Sequence, residues 1–519
     1  MIKNIKLLLL VSLTFVACSS DDEAVIDQNS SDGLPLTAGT ANFSKYVSLG
    51  NSLTAGYSDS ALFIKGQEGS YPNILSQQFA LVGGGEFKIP FMNDNIGGFL
   101  LGGAPLPGFG PRLYFNGSGP AQVPGTITTE LTNILTGPFN NMGVPGAKSF
   151  HLLAPGYGNI ANLSLGQANP YFIRFASSPG TSIIADAVAQ SPTFFSLWIG
   201  NNDVLGYATS GGTGVNQTGN LNPATYGSND ITDPNVFASV YSGLVTQLTA
   251  NGAKGVVANI PYVTSVPFFT TVPTNPIPGL PPASAGQLNQ LFGGINGALA
   301  GAGLPPRFVT LVSDDGNSAT VESNPLLIVD ESLPNISVQI ANALTPLLGA
   351  TTAGYLGSIY GQARHASNNI SSRDYILLTA RGVIATTQAG APSPFNTVGV
   401  SYPMQDNTTL TASETLEVKT ATDAYNATIL ALATSNDLAF VDANAALTQV
   451  ANGGISGNGY TLISTYVTGG AFSLDGVHPS PRGYALIANK FIEAINLKYG
   501  SNFKGVSFAN YSILYPAVL

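Results

Sequence analysis

Two runs constrain the fold more than anything else in the chain: Thr193-Phe194-Phe195-Ser196-Leu197-Trp198-Ile199 and Lys254-Gly255-Val256-Val257-Ala258-Asn259-Ile260. Each has the length of one strand and is apolar nearly throughout. A strand with one wet face alternates polar and apolar residues, so a run without alternation needs cover on both faces, as in a parallel sheet between helical layers. The connector such a sheet requires lies between them. Asp233-Pro234 offers an N-cap acid and a proline in the first turn, and Val236, Phe237, Val240, Tyr241, Leu244 and Leu248 follow at helical spacing. Further strands are expected at Tyr46 to Leu49 and at Leu438 to Asp442. Helices are expected from Tyr71 to Val82, from the capping box Thr411-Ala412-Ser413-Glu414 to about Ala433, and from Pro481 to Leu497. The expected class is α/β, a parallel sheet of about five strands flanked by helices and carrying long insertions.

The insertions announce themselves by composition. Only 9% of the 519 residues are charged, against roughly 25% in ordinary soluble proteins, while Gly (60) and Pro (34) are abundant. Residues 83–138 hold Gly83-Gly84-Gly85, Gly97-Gly98, Gly102-Gly103 and Pro105-Leu106-Pro107, with Phe99, Phe109, Tyr114 and Phe115 among them. This stretch reads as a long loop with exposed apolar residues, a wall over a site. Residues 267–404, rich in proline at first, read as an insertion into the sheet domain. The sheet domain itself is expected to span 41–500, with 501–519 as a C-terminal extension. A net charge of −10 without any basic cluster speaks against nucleic acid as a partner.

Lys3 and Lys6 precede the apolar run Leu7 to Val16, which is too short to span a bilayer. Residues 1–18 therefore read as a signal peptide. Its end, Phe15-Val16-Ala17-Cys18, resembles a bacterial lipobox, which implies lipidation of Cys18, the single cysteine. The acidic Ser19-Ser20-Asp21-Asp22-Glu23 resembles an export signal of bacterial surface lipoproteins. The expectation is an outer-membrane lipoprotein, surface-exposed, held by its lipid anchor through a flexible tether over 19–40.

In Tyr46-Val47-Ser48-Leu49-Gly50-Asn51-Ser52-Leu53-Thr54-Ala55-Gly56 a β-prone run ends on glycine, and a serine follows two residues later. Taken alone, this is as consistent with an ordinary strand-to-helix turn as with a serine displayed where open α/β sheets bind ligands. A nucleophilic serine needs a base, a group to orient that base, and donors for an oxyanion. Of three histidines, His478 lies in Asp475-Gly476-Val477-His478-Pro479, where an acid three residues earlier can bond the imidazole. His151 and His365 read as surface histidines. No cysteine pair, histidine cluster or phosphate-binding loop points to a metal or cofactor, and none is expected.

Gly50-Asn51-Ser52-Leu53, Asn141-Met142-Gly143-Val144-Pro145-Gly146, Gly200-Asn201-Asn202-Asp203 and Asp475-Gly476-Val477-His478-Pro479 occur in the order of the four blocks of the SGNH (GDSL-type) esterases and lipases, which the chain resembles over about 44–262 and 405–500. The resemblance implies the flavodoxin-like three-layer fold of that family. It also implies Ser52 as nucleophile, His478 as general base and acid, and Asp475 as its orienting partner. The oxyanion donors would be the backbone N–H groups of Ser52 and Gly146 and the side chain of Asn202. One position departs: the family has aspartate where this chain has Asn51. The expected function is hydrolysis of acyl or acetyl esters of lipid or carbohydrate through an acyl-enzyme on Ser52. The competing reading is a non-catalytic surface lipoprotein that binds glycan or lipid on the same fold.

Overall fold

The protein, a computed structural model, is described over residues 27–317 and 321–519. Cys18 and the signal peptide lie outside the described residues. Five strands form the central sheet: β1 (Tyr46–Gly50), β2 (Asn141–Gly143), β3 (Phe194–Trp198), β4 (Lys254–Ala258) and β5 (Ala439–Val441). Their order is β5-β4-β3-β1-β2, and every pairing is parallel. In register, Gly50 lies beside Gly143 on one side and Trp198 on the other. Three strands thus end level, and the segments that follow them emerge at one edge.

The apolar runs are buried on both faces, as their composition demands. Tyr46, Phe194, Val256 and Ala439 point one way; Val47, Phe195 and Val257 point the other. The helices that matter here, in chain order, are α1 (Ser52–Ala55), α2 (Tyr71–Ala80), α3 (Ile183–Ala189), α4 (Asn202–Thr209), α5 (Pro234–Thr249), α6 (Pro282–Gly301), α7 (Ser337–Tyr360), α8 (Ala412–Ser435), α9 (Ala443–Ala451) and α10 (Pro481–Tyr499). The first face is covered by α2 and α10, the second by α3, α5 and α8. Asp233 caps α5 by accepting from the N–H groups of Asn235 and Val236 at 2.8 and 3.0 Å, and Thr411 with Glu414 forms the capping box of α8. Among the described residues no helix is long and apolar enough to cross a membrane.

Several sequence expectations need correcting. Residues 27–40 are not a free tether: Ser31 N–H donates to Asn502 O, Thr37 N–H to Asn502 Oδ1, and Thr40 N–H to Tyr499 O, each at 2.8 Å. The 501–519 segment is packed in turn, with Phe503, Phe508 and Tyr515 buried. The stretch 83–138 folds into two short hairpins, Leu100–Leu101 with Ala104–Pro105 and Leu113–Phe115 with Pro120–Gln122. Phe99 is fully buried there, packed on Tyr171, and not exposed. Within 267–404, α6 and α7 pack on each other around Phe292, Ile295, Ile340 and Tyr360 and build a core of their own. The insertion is joined to the sheet domain by Phe268 N–H donating to Gly476 O (2.9 Å), by Ala412 N–H donating to Asp374 Oδ1 (3.0 Å), and by pairing of Tyr375–Ile376 with Thr409–Leu410.

Candidate active site

Asn51 initiates the site. It is buried directly after β1 and caps α1, its Oδ1 accepting from Leu53 N–H at 3.0 Å. Its Nδ2 donates to Asn201 Oδ1 at 3.0 Å, which joins the turn after β1 to the turn after β3. A carboxylate at position 51 could make the first bond, and the second only with the Asn201 amide turned over to donate. The asparagine serves both and keeps the turn in place. Ser52 is then the first residue of α1, where a backbone N–H has no intrahelical acceptor, and that N–H finds none among the described residues. Gly56 closes the short helix at φ +85°, a backbone angle that L side chains resist.

The loop after β2 is set against this turn. Asn141 Nδ2 donates to Thr54 O at 2.9 Å, and a Cβ on Gly143 would stand 2.3 Å from Ala55 N. Only glycine lets the two backbones come that close. Gly146 follows at φ +80°, exposed, its N–H without an acceptor among the described residues. Asn202, half-buried, donates through Nδ2 to Ala147 O at 2.8 Å. The adjoining Asp203, fully buried, accepts from Ser149 N–H (2.8 Å) and Oγ–H (2.7 Å). Asn202 and Asp203 together clamp the loop that carries Gly146. One amide hydrogen of Asn202 remains uncommitted.

His478 comes from the loop before α10. Its Nε2 lies 2.9 Å from Ser52 Oγ and its Nδ1 2.9 Å from Asp475 Oδ2. Residues 426 positions apart in the chain are thus brought into hydrogen-bonding contact. Asp475 also accepts from the backbone N–H groups of Ser60 (3.0 Å), Val477 and His478 (2.8 Å each). Burial pushes its carboxyl up, but the charge and hydrogen bond of His478 and these backbone donors outweigh that and hold it down at about 2. Asp475 is therefore a carboxylate at any ordinary pH. It accepts the Nδ1 proton and leaves the Nε2 lone pair directed at the hydroxyl. The ring of Tyr57 lies 4.6 Å from the imidazole and limits its movement.

The other two histidines are not surface residues. His365 is buried, and its Nδ1 accepts from Val309 N–H at 2.9 Å. His151 stacks on Tyr157 at 4.4 Å, and its Nδ1 accepts from Lys148 N–H at 3.0 Å. Burial lowers His365 to about 4, and burial with the nearby Lys148 lowers His151 to about 3. In both rings the proton sits on Nε2, so neither can take one there.

The structure brings Ser52, His478 and Asp475 together, with Asn202 on the same cavity as Ser52 and His478. Gly146 is not part of that cavity's lining. Sequence reasoning missed Asn201, Asp203, Ser60 and the buried Asp59. Asp59 accepts from Leu474 N–H at 2.9 Å, just before the His478 loop, while its Oδ2 has no partner among the described residues. Burial pushes its carboxyl up to about 7, with the Asp475 charge adding to the effect. Asn201 and Asp203, which flank Asn202, carried a positional hint; Ser60 and Asp59 depend on chain segments far apart. Asp314, Asp315 and Glu322 in the insertion bring carboxylate oxygens within 4.8 Å of one another, two of the three exposed, as acidic groups do without an ion.

No protein-family model, curated protein or solved structure matches the chain.

Proposed function

We propose that this protein is a serine ester hydrolase of the SGNH (GDSL) type. The observation that carries the reading is the continuous relay from Asp475 through His478 to Ser52, with both contacts at 2.9 Å. Ser52 Oγ adds to the ester carbonyl carbon while its proton passes to His478 Nε2. The tetrahedral oxyanion is met by the Ser52 N–H, the Gly146 N–H and the free amide hydrogen of Asn202. The C–O bond to the alcohol then breaks, and His478 returns the proton to the departing oxygen, leaving an acyl group on Ser52. Water, deprotonated by the same Nε2, adds to that acyl carbon, releases the carboxylic acid and restores the serine. Asp475 stays ionised throughout and stabilises the imidazolium. Anchoring at an outer membrane through a lipidated Cys18 belongs to the same proposal and rests on the leader sequence.

A fluorophosphonate reacts only with an activated serine. It is expected to label the wild-type protein on Ser52, and Ser52→Ala is expected to lower ester turnover about 10⁶-fold in a protein that melts as the wild type does. Absence of labelling, or full activity in the variant, would sink the assignment and favour a binding protein.

A further inference from the structure

The cavity at Ser52 and His478 is far larger than the reacting atoms need. It runs on from the serine between two helices, and most of the side chains that line it are apolar. Two helices wall it. From α9 come Ala443, Ala446, Leu447 and Val450; from α10 come Gly483, Leu486, Ile487, Lys490 and Phe491. Both sets follow the i, i+3, i+4, i+7 spacing by which a helix ordinarily buries one face against a neighbour. Here Val450, Leu486 and Phe491 are packed in the core, while Ala446, Leu447 and Ile487 remain only half-buried where the two stripes border the cavity. Water in contact with so much apolar surface is unfavourable, and an apolar ligand relieves it.

All but one of the polar side chains of the lining sit at one end. Ser52, Asn201, Asn202 and His478 cluster at the serine, and the one other charged group, Lys490, is paired with Glu493 at 2.8 Å. A sugar ring would require hydroxyl partners along the walls, and an acetyl group would leave the void empty. We propose that this cavity holds the acyl chain of a medium- to long-chain fatty ester, with the carbonyl at Ser52 and the alkyl chain running between α9 and α10. The proposal rests on the reading of Ser52 as the acyl-accepting nucleophile. From Gly483 to Phe491 the α10 stripe extends ~12 Å at 1.5 Å per residue. An extended chain advances ~1.2 Å per bond, so the walls match ~10 carbons.

Titration calorimetry of Ser52→Ala with unbranched carboxylates from acetate to hexadecanoate tests this without turnover. Affinity is expected to rise about fourfold per methylene and to level off at ~10 carbons. Ala446→Trp in the same background is expected to stop the rise several carbons earlier. Equal affinity for acetate and decanoate, or a wild-type-like profile in Ala446→Trp, would overturn the acyl assignment. Fluorophosphonate labelling of the wild type, run alongside, separates the two readings. Chain-dependent binding without labelling keeps the fatty-chain site and rejects the hydrolase. Labelling without chain-dependent binding rejects the fatty chain alone.

Discussion

His478 at the strand ends and His365 in the insertion are the same residue in opposite electrostatic settings. The ring of His478 meets a carboxylate at Nδ1 and a hydroxyl at Nε2. His365 meets a backbone N–H at Nδ1 and nothing at Nε2 among the described residues. The partner of Nδ1 sets the tautomer, and the tautomer decides whether Nε2 is a base or a donor. The same contrast runs through the surroundings. At the strand ends, buried polar groups are held by directional bonds to loop backbone, as around Asp475 and Asn51. The insertion adds a buried ion cluster: Arg364 reaches Asp330 through Nε at 2.6 Å and grips Asp374 with two bonds of 2.5 and 2.7 Å. One region converges polar side chains on Ser52, and the other holds buried charges together within the insertion.

The largest effect expected from breaking this contrast is that of Asp475→Asn. It puts an amide N–H against the protonated Nδ1 and pushes His478 toward the tautomer of His365. Steady-state kinetics are expected to show kcat down about 10⁴-fold, with KM little changed. A loss under tenfold would mean that the carboxylate does not set the tautomer. Next is Arg364→Ala, which leaves Asp330 and Asp374 buried without their cation. Denaturant unfolding is expected to show a loss of about 3–5 kcal/mol, with kcat/KM within twofold of wild type while the protein is folded. A selective loss of activity would show that the insertion acts on the site.

The smallest effect sharpens the comparison by pH. The folded Asp59 carboxyl sits at about 7, above its ordinary 3.8, so the fold favours its protonated form. The stability this lends is complete below about pH 4, declines as pH rises, and is gone above about pH 7. Asp59→Asn carries no such charge. Its advantage over wild type is expected to grow between about pH 4 and pH 8 by on the order of 3 kcal/mol. Unfolding curves at the two ends check it, and a pH-independent difference would show that Asp59 does not titrate in this range.

Much of the sheet was legible because each element carries its own local signal. The apolar runs at Phe194 and Val256 have no wet face, Asp233 and Thr411 cap the helices after them, and Asp475 and His478 stand on one loop. Other elements carried none. β2 is three residues long, and α6 follows a proline-rich stretch in which helical periodicity is obscured. α9 is alanine-rich, and its apolar stripe is divided between the core and the cavity. Residues 27–40 are polar enough to read as a tether, yet Asn502 and the Tyr499 carbonyl satisfy their backbone.

The sequence by itself determined the parallel α/β core and the short-range pairing of Asp475 with His478, since both follow from residue type and spacing over a few positions. Tertiary structure alone decided that Ser52 meets His478, that Asn51 can stand where a carboxylate was expected, and that α9 and α10 leave a cavity between them. Those outcomes depend on where β1 and β3 end relative to each other and on how two distant helices are set apart. Neither distance is written in any local run of residues.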